Sequence, residues 1–477
     1  MTRSFGIPTI FLLLCIIALA ANGATRLPDD EVNALMDIGK ALNKTWDKSV
    51  NPCNGSPPWY TSEDDGVVCN CSSLNDTFCH VTSITLKSQS LQGTLPPDFI
   101  RLPYLQNIDL TRNYLNGVIP HEWGRLPNIL NISLLGNRLT GSIPKEIGNL
   151  STLESIVLEA NYLSGKLPEE LGNLPHIQRL LLSSNNFSGE IPPALAKLST
   201  LKDLRINDNQ FSGKIPSFIN NWTNLTKLII QASGLQGPIP STIQDLGKLS
   251  DLRISDLNGT EAKFPNLTSS TTSLKTLILR NCNLIGELPQ TLKDFTTLKV
   301  LDLSFNKLNG TIPQTYSSLD LERLYLTENL LTGPVPDRVR GEVDLSFNNF
   351  TGSTDCQLAS GMNLFTSSSA DNNSGIASCL KSSPCSTDFR PPRDSKISAG
   401  AVAGIVISII FAILLIVGIL WWRGCFGRND TRESDLKGLD LQTGSFTLRQ
   451  IRAATNNFSP DNKIGEGGFG SVYKRNL

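Results

Sequence analysis

The chain has 477 residues, and 42 Lys and Arg stand against 43 Asp and Glu for a formal net charge of −1. That length exceeds one ordinary domain, and so balanced a charge excludes a basic field that would draw the whole molecule onto nucleic acid. Most of the 10 cysteines gather at two places, a usage that fits an exported, oxidised chain.

Residues 1–24 read as a secretory signal peptide. The apolar run Ile7 to Ala21 follows a single Arg3, is short for a bilayer, and gives way to small residues. Residues 25–80 form a cysteine-rich N-terminal cap, with Cys53, Cys69, Cys71 and Cys79 as disulfide candidates. Zinc is a poor reading of Cys69-x-Cys71, because the spacing is wrong and no His pair accompanies it, so no metal site is assigned. Asn-x-Ser/Thr sequons recur through the same exported stretch, among them Asn43, Asn70, Asn75, Asn131, Asn186, Asn221, Asn258, Asn309 and Asn349.

Residues 81–352 are repetitive. Leu105-Gln-Asn-Ile108-Asp-Leu110-Thr-Arg-Asn113 recurs from Ile129, Leu153, Ile177 and Leu201, a constant step of 24 residues, and degenerate copies start at Val81, Leu225, Leu249, Leu274, Leu298 and Leu321. Apolar residues at positions one, four and six of each copy should stack on their neighbours into one continuous core, which no copy could bury alone. The Asn at position nine can satisfy backbone groups inside the coil, each of which would cost about 1–3 kcal/mol if buried unpaired. Copies continue with Gly-x-Ile/Leu-Pro, as in Gly141 to Pro144, where Pro should stop the strand. The fold class expected is an α/β-type leucine-rich-repeat solenoid: a right-handed superhelix with parallel β-strands on the concave face and β or 3-10 turns on the convex face. The Asn column is interrupted at Ser233, Leu257 and Cys282, and 249–273 gains one residue and loses Gly-x-Ile-Pro, so local distortion is expected there, with Cys282 a buried thiol.

Residues 353–397 form a Cys/Ser-rich C-terminal cap and linker whose Cys356, Cys379 and Cys385 are further disulfide candidates, an odd set that leaves one unpaired or paired elsewhere. Residues 398–422 read as one transmembrane α-helix: Ala399 to Trp422 carries no charge and is apolar on every face, with Trp421 and Trp422 at the interface. Gly400-Ala-Val-Ala-Gly404 is a candidate homo- or hetero-dimerisation pattern. With the signal peptide setting orientation, the chain is a single-pass type I protein of the plasma membrane, N-terminus outside. Residues 423–445 are then cytosolic juxtamembrane sequence, in which Cys425 is as open to palmitoylation as to being a bystander. In 446–477, Gly465-x-Gly467-x-x-Gly470-x-Val472 precedes a returning strand rather than a helix, which favours the glycine-rich loop that closes over ATP phosphates.

The block Trp46…Asn51-Pro-Cys53…Cys69-Asn-Cys71…Cys79-His-Val-Thr-Ser-Ile84, the Gly-x-Ile-Pro repeats and Phe446-Thr-Leu-Arg-Gln-Ile451 together resemble a plant leucine-rich-repeat receptor-like serine/threonine kinase. The similarity is greatest to the subfamily that carries a malectin-like domain. Here Phe389-Arg-Pro-Pro-Arg393 runs almost directly into the apolar segment instead. The resemblance implies ATP and Mg as cofactors of the complete kinase. It implies none for this chain as given, where Leu477 follows soon after the start of a kinase domain, a short cytosolic N-lobe remnant; no catalytic residue is assigned and residues from about 429 onward are expected to pack poorly. Implied partners are an extracellular peptide, a cell-wall fragment or a partner receptor ectodomain.

If the strands line the concave face, positions three and five should point to solvent. They supply Arg179, Asp203, Lys227, Asp251 and Thr276, and Val157, Leu181, Arg205, Ile229, Arg253 and Ile278. Of these, Arg179, Leu181, Asp203, Arg205, Lys227, Ile229, Asp251 and Arg253 are the candidate ligand-binding face, exposed Leu and Ile between alternating charges, and the competing reading is a solvated face with incidental apolar residues. Three functions stay open: a binding receptor acting as decoy or accessory partner, the front of an active kinase, and a secreted inhibitor.

Overall fold

The computed structural model describes residues 26–71, 78–267, 273–336 and 341–350, and the backbone of 463–467 and 470–473. The signal peptide, Asn75, Cys356, Cys379, Cys385 and the expected membrane span lie outside the described residues. Among the described residues no helix is long and apolar enough to cross a membrane.

The chain divides into two units, 1–385 and 386–477. In the first, helix α1 (Asp29–Leu42) carries Asp29, Asp30 and Glu31 in its first turn and Lys40 in its last, matching the helix dipole, and buries Ala34, Leu35, Ile38 and Leu42. Asn43 ends it in the left-handed conformation. Trp46 stacks on Trp59 at 4.9 Å, and the Trp59 indole N–H donates to the Val50 carbonyl at 2.8 Å. Strands β1 (Tyr60–Ser62), β2 (Asp65–Asn70) and β3 (His80–Leu86) pair antiparallel. The four candidate cysteines close as Cys53–Cys69 and Cys71–Cys79, tying this cap to its own strands. Glu31 locks the helix to β3 by accepting the Val81 N–H at 2.9 Å and pairing with His80 Nδ1 at 2.5 Å.

From β3 onward the pairing turns parallel, and each repeat adds one strand to a 14-stranded sheet. The register advances by one whole repeat per strand: Asn107, Asn131, Ser155, Arg179 and Asp203 fall in one row. Positions one, four and six are inward as expected, for example Leu105, Ile108 and Leu110 at no more than 1% exposure. After the strand, position eight takes positive φ even where it is not glycine, as at Ala160, Ser184 and Asp208, and position nine is the Asn. Asn185 Oδ1 accepts the Leu163 N–H at 3.0 Å, while its Nδ2 donates to the Leu158 and Leu182 carbonyls at 2.9 and 3.2 Å. One amide thus satisfies three buried backbone groups of two coils and holds the turn in place.

Short second strands follow, and then Pro. Pro120, Pro144, Pro168 and Pro192 sit in extended conformation at the mouth of 3-10 helices such as Lys145–Asn149, confirming Pro as the strand stop. These helices stack on one another and bury Trp123, Ile147, Leu171 and Leu195. Polar tips of the large rings find carbonyls one coil back, as Trp123 Nε1 does with Pro96 at 2.8 Å. Gly148 lets two such helices touch, since a Cβ there would lie 2.2 Å from the Glu170 carbonyl oxygen.

The interrupted stretch is distorted as expected, in a specific way. Strands Lys227–Gln231, Asp251–Ser255 and Thr276–Arg280 run five residues where their regular neighbours run three. The second sheet breaks there into two five-stranded pieces, ending at Phe211 and resuming at Ala262. Cys282 is a free buried thiol, as expected.

In the second unit, Lys463–Gly467 pairs antiparallel with Gly470–Tyr473, placing Gly465 opposite Val472 and Gly467 opposite Gly470. The expected returning strand is present.

Candidate ligand-recognition face

The long sheet exposes every second residue of each strand on the face away from the core. In the middle of that face, Arg179, Asp203, Lys227, Asp251 and Thr276 form one row across five strands, and Leu181, Arg205, Ile229, Arg253 and Ile278 form the next. All eight candidate residues are therefore brought together on one surface.

Their chemistry differs from the expectation. Two of the three Arg fold back along their own strands: Arg205 grips Asp203 through two bonds at 3.0 and 2.9 Å, and Arg253 grips Asp251 at 2.7 and 3.1 Å. Lys227 Nζ also reaches Asp251, at 3.3 Å. Such forked pairs hold planar guanidinium groups in fixed positions. Leu181, Ile229 and Val157, expected to be exposed, are covered, at 2%, 5% and 9% exposure. The reason is spacing: strands about 4.8 Å apart set Leu181 between Val157 and Arg205, and Ile229 between Arg205 and Arg253, whose methylene stems lie alongside. Asp251 too is buried, at 8%. The surface offered outward is a charged lattice, with Arg179 exposed at its edge.

Two further columns belong to the face and were missed. Position seven adds Glu159, half-buried, whose carboxyl is raised above its ordinary value by burial, with Arg205 pulling the other way. Burial works against the Arg205 charge, but Asp203 and Glu159 more than offset it and hold the guanidinium protonated. Ser183 donates to Asn207 Oδ1 at 2.5 Å in the same column. Position eight adds Phe305, with the Arg280 guanidinium 4.4 Å from its ring centroid. Carrying the repeat count three residues further along each copy locates all of these. Farther on, the Tyr325 hydroxyl is pushed up to about 12 by burial and by Glu342.

Of the sequon asparagines named above, Asn43, Asn70, Asn131, Asn186, Asn221, Asn258, Asn309 and Asn349 lie within the described residues and are exposed. Gly465, Gly467, Gly470 and Val472 share the hairpin described above, apart from this face.

The leucine-rich-repeat family pattern matches residues 104–126, 152–174, 176–198, 200–222, 273–295 and 297–319. A probable leucine-rich repeat receptor-like serine/threonine-protein kinase of Arabidopsis thaliana is 48% identical over 94 residues, covering 18% of this chain and 9% of that protein. A second such kinase from the same plant is 56% identical over 90 residues, covering 18% of this chain and again 9% of the relative. The matched stretch is thus a small part of either relative's length. Among solved structures, the Arabidopsis receptor kinase HAESA in complex with the peptide hormone IDA and the co-receptor SERK1 superimposes with TM-score 0.60 at 31% identity, covering 71% of this chain and 56% of that one. The PEPR1–AtPEP1 structure gives TM-score 0.58 at 26% identity, with 70% and 51% covered. The described repeats form a leucine-rich-repeat solenoid similar to the ectodomains of plant leucine-rich-repeat receptor-like kinases.

Proposed function

We propose that this chain is a single-pass cell-surface receptor whose long sheet recognises an extracellular peptide or a partner receptor ectodomain. The observation that carries the reading is the preorganised lattice Asp203, Arg205, Lys227, Asp251 and Arg253, whose charges are fixed before any ligand arrives, with the exposed Arg179 at its edge. Backbone donors and acceptors of an extended peptide would meet a row of charged groups at strand spacing. The similarity to the HAESA ectodomain, solved in complex with the peptide hormone IDA, supports the same choice over a cell-wall fragment. The subfamily with a malectin-like domain is the nearest in motif, with 353–397 standing where that domain would lie. The chain would sit in the plasma membrane through 398–422.

The test is selection of a random peptide library against the full chain in nanodiscs. Enriched peptides should lose binding to Arg205→Ala and Lys227→Ala, and selected peptides indifferent to both would end the reading. Retention of the tagged protein in membranes after alkaline wash checks the anchor, and release would leave the secreted-inhibitor alternative.

A second reading is the front of an active receptor-like kinase, favoured by the hairpin Lys463–Gly467/Gly470–Tyr473. Its glycines would close over ATP phosphates in a complete domain, with Mg supplied alongside. An open reading frame beyond the codon for Leu477 would support it.

A further inference from the structure

We propose that Asn131 carries an N-linked glycan on the face of the long sheet, and that this glycan closes the N-terminal part of that face so that recognition starts at Arg179. The proposal rests on the recognition reading above only for its last clause. Asn131-Ile-Ser133 is a complete sequon and is itself a strand of the long sheet. The row fixes which side its Asn points to: Asn131 pairs with Asn107 on one side and with Ser155, then Arg179, on the other. Its side chain is exposed, and its Nδ2 lies 2.6 Å from Asn107 Oδ1 across the face.

The placement is unusual among the sequons. Asn186, Asn309 and Asn349 belong to the short second strands, Asn221 to a 3-10 helix, Asn43 to the end of α1, Asn258 to the loop after Asp251–Ser255 and Asn70 to the antiparallel cap strand β2 that precedes the repeats. Among the described residues, Asn131 is the sequon asparagine that stands within a repeat strand of the long sheet.

The surroundings leave room for a bulky group. The strand of Asn131 presents Ser133 and its neighbours present Asn107, Asp109, Ser155 and Val157, all short, with Asp109 paired to Lys87 at 3.5 Å, and Thr111 shares a hydrogen bond with Ser133 at 2.8 Å. Two strands on, at a separation of about 10 Å, the short side chains give way to Arg179 and the charged lattice. A branched glycan of several sugars reaches across that distance, so it would lie over the short residues and end against the long ones. Transfer to Asn131 precedes folding, so pairing of the strand is no obstacle.

The full chain is expressed in a secreting plant or insect cell and digested for glycopeptide mass spectrometry. The peptide holding Asn131 should carry a glycan mass that Ser133→Ala abolishes, and an unmodified Asn131 would overturn the proposal. Shielding is read separately, with cysteines introduced as Asn107→Cys or Thr276→Cys and a bulky PEG-maleimide as probe. Labelling at 107 should quicken several-fold when Ser133→Ala is added, and labelling at 276 should not change. Equal labelling at 107 with and without the sequon would overturn the shielding even if the glycan is present. Neither readout needs a ligand, so failure of the recognition reading would leave both results standing and recognisable as such.

Discussion

The repeats that keep the Asn at position nine and those that lack it differ in that buried side chain and in much of their secondary structure, and one of those that lack it, 249–273, also carries an extra residue. Where Asn161 and Asn185 stand, the strand stops after three residues, the chain turns, and a second strand pairs with the next coil. Where Ser233, Leu257 and Cys282 stand, the strands run on to five residues, and the second sheet is broken between Phe211 and Ala262. The leucine core is common to both: Leu180 and Leu252 are equally buried, at 1% and 0%. Burial therefore builds the stack, and a buried amide decides where each coil bends.

The largest effect should come from removing that amide. Asn185→Ala strands the Leu163 N–H and two carbonyls inside the solenoid, for about 3 kcal/mol or more. Ser233→Ala loses a single 3.3 Å bond from the Leu235 N–H and should cost under about 1 kcal/mol. Urea midpoints of the two variants test the comparison, and equal losses would break it. Next comes the stacking of the 3-10 helices. Gly148→Ala must push a Cβ into the Glu170 backbone, for about 1–3 kcal/mol. Gly286→Ala, with nothing within 4 Å and only its φ of +91° to strain, should cost nearer 1 kcal/mol.

Most of the stack was legible because its causes recur at a fixed period. Leucines at positions one, four and six, the Asn at nine and the Pro stop were each read from spacing and found in place, and the three departures from the Asn column marked the distorted coils. The recognition face was legible in position but not in exposure. Counting along the repeat placed Leu181 and Ile229 on the correct side of the sheet. It could not show that adjacent Arg stems would cover them, because that depends on strand separation and rotamer. Nor could it show that Arg205 folds back onto Asp203 of its own strand. Glu159 was missed because the reading stopped at position five.

The electrostatics of the regular coils offer a smaller effect. Burial holds the Glu159 carboxyl above its ordinary value of 4.5, despite Arg205. A carboxyl whose folded-state pKa is raised favours folding at pH below its unfolded value and loses that contribution as pH rises through the folded one. At neutral pH the charged Glu159 therefore works against the fold. Glu159→Gln keeps a hydrogen-bonding group for Ser183 and should be more stable than the parent at pH 7, with the gain fading toward pH 4.5 and below. Urea midpoints at the two pH values measure it, and a gain that grows on acidification would contradict the burial account.

The smallest effect sharpens the comparison most directly, because it probes the coils without Asn from inside. Cys282 occupies the Asn position, and its thiol contacts the Arg280 and Ile254 carbonyls at 3.2 and 3.5 Å. Burial pushes the thiol well above its ordinary range, with Asp256 adding to the shift, and alkylation needs the thiolate. In the native chain, modification of the Cys282 peptide should therefore be very slow and should accelerate only as urea unfolds the stack. If the loss of the amide ladder has loosened these coils, the thiol will react in native buffer well before the regular coils exchange their Asn-bonded amides. If the five-residue strands compensate, thiol and amides will open together. The lengthened pairing from Lys227 to Arg280 favours the second outcome, since each extended strand recovers in backbone hydrogen bonds part of what the missing side chain would have satisfied.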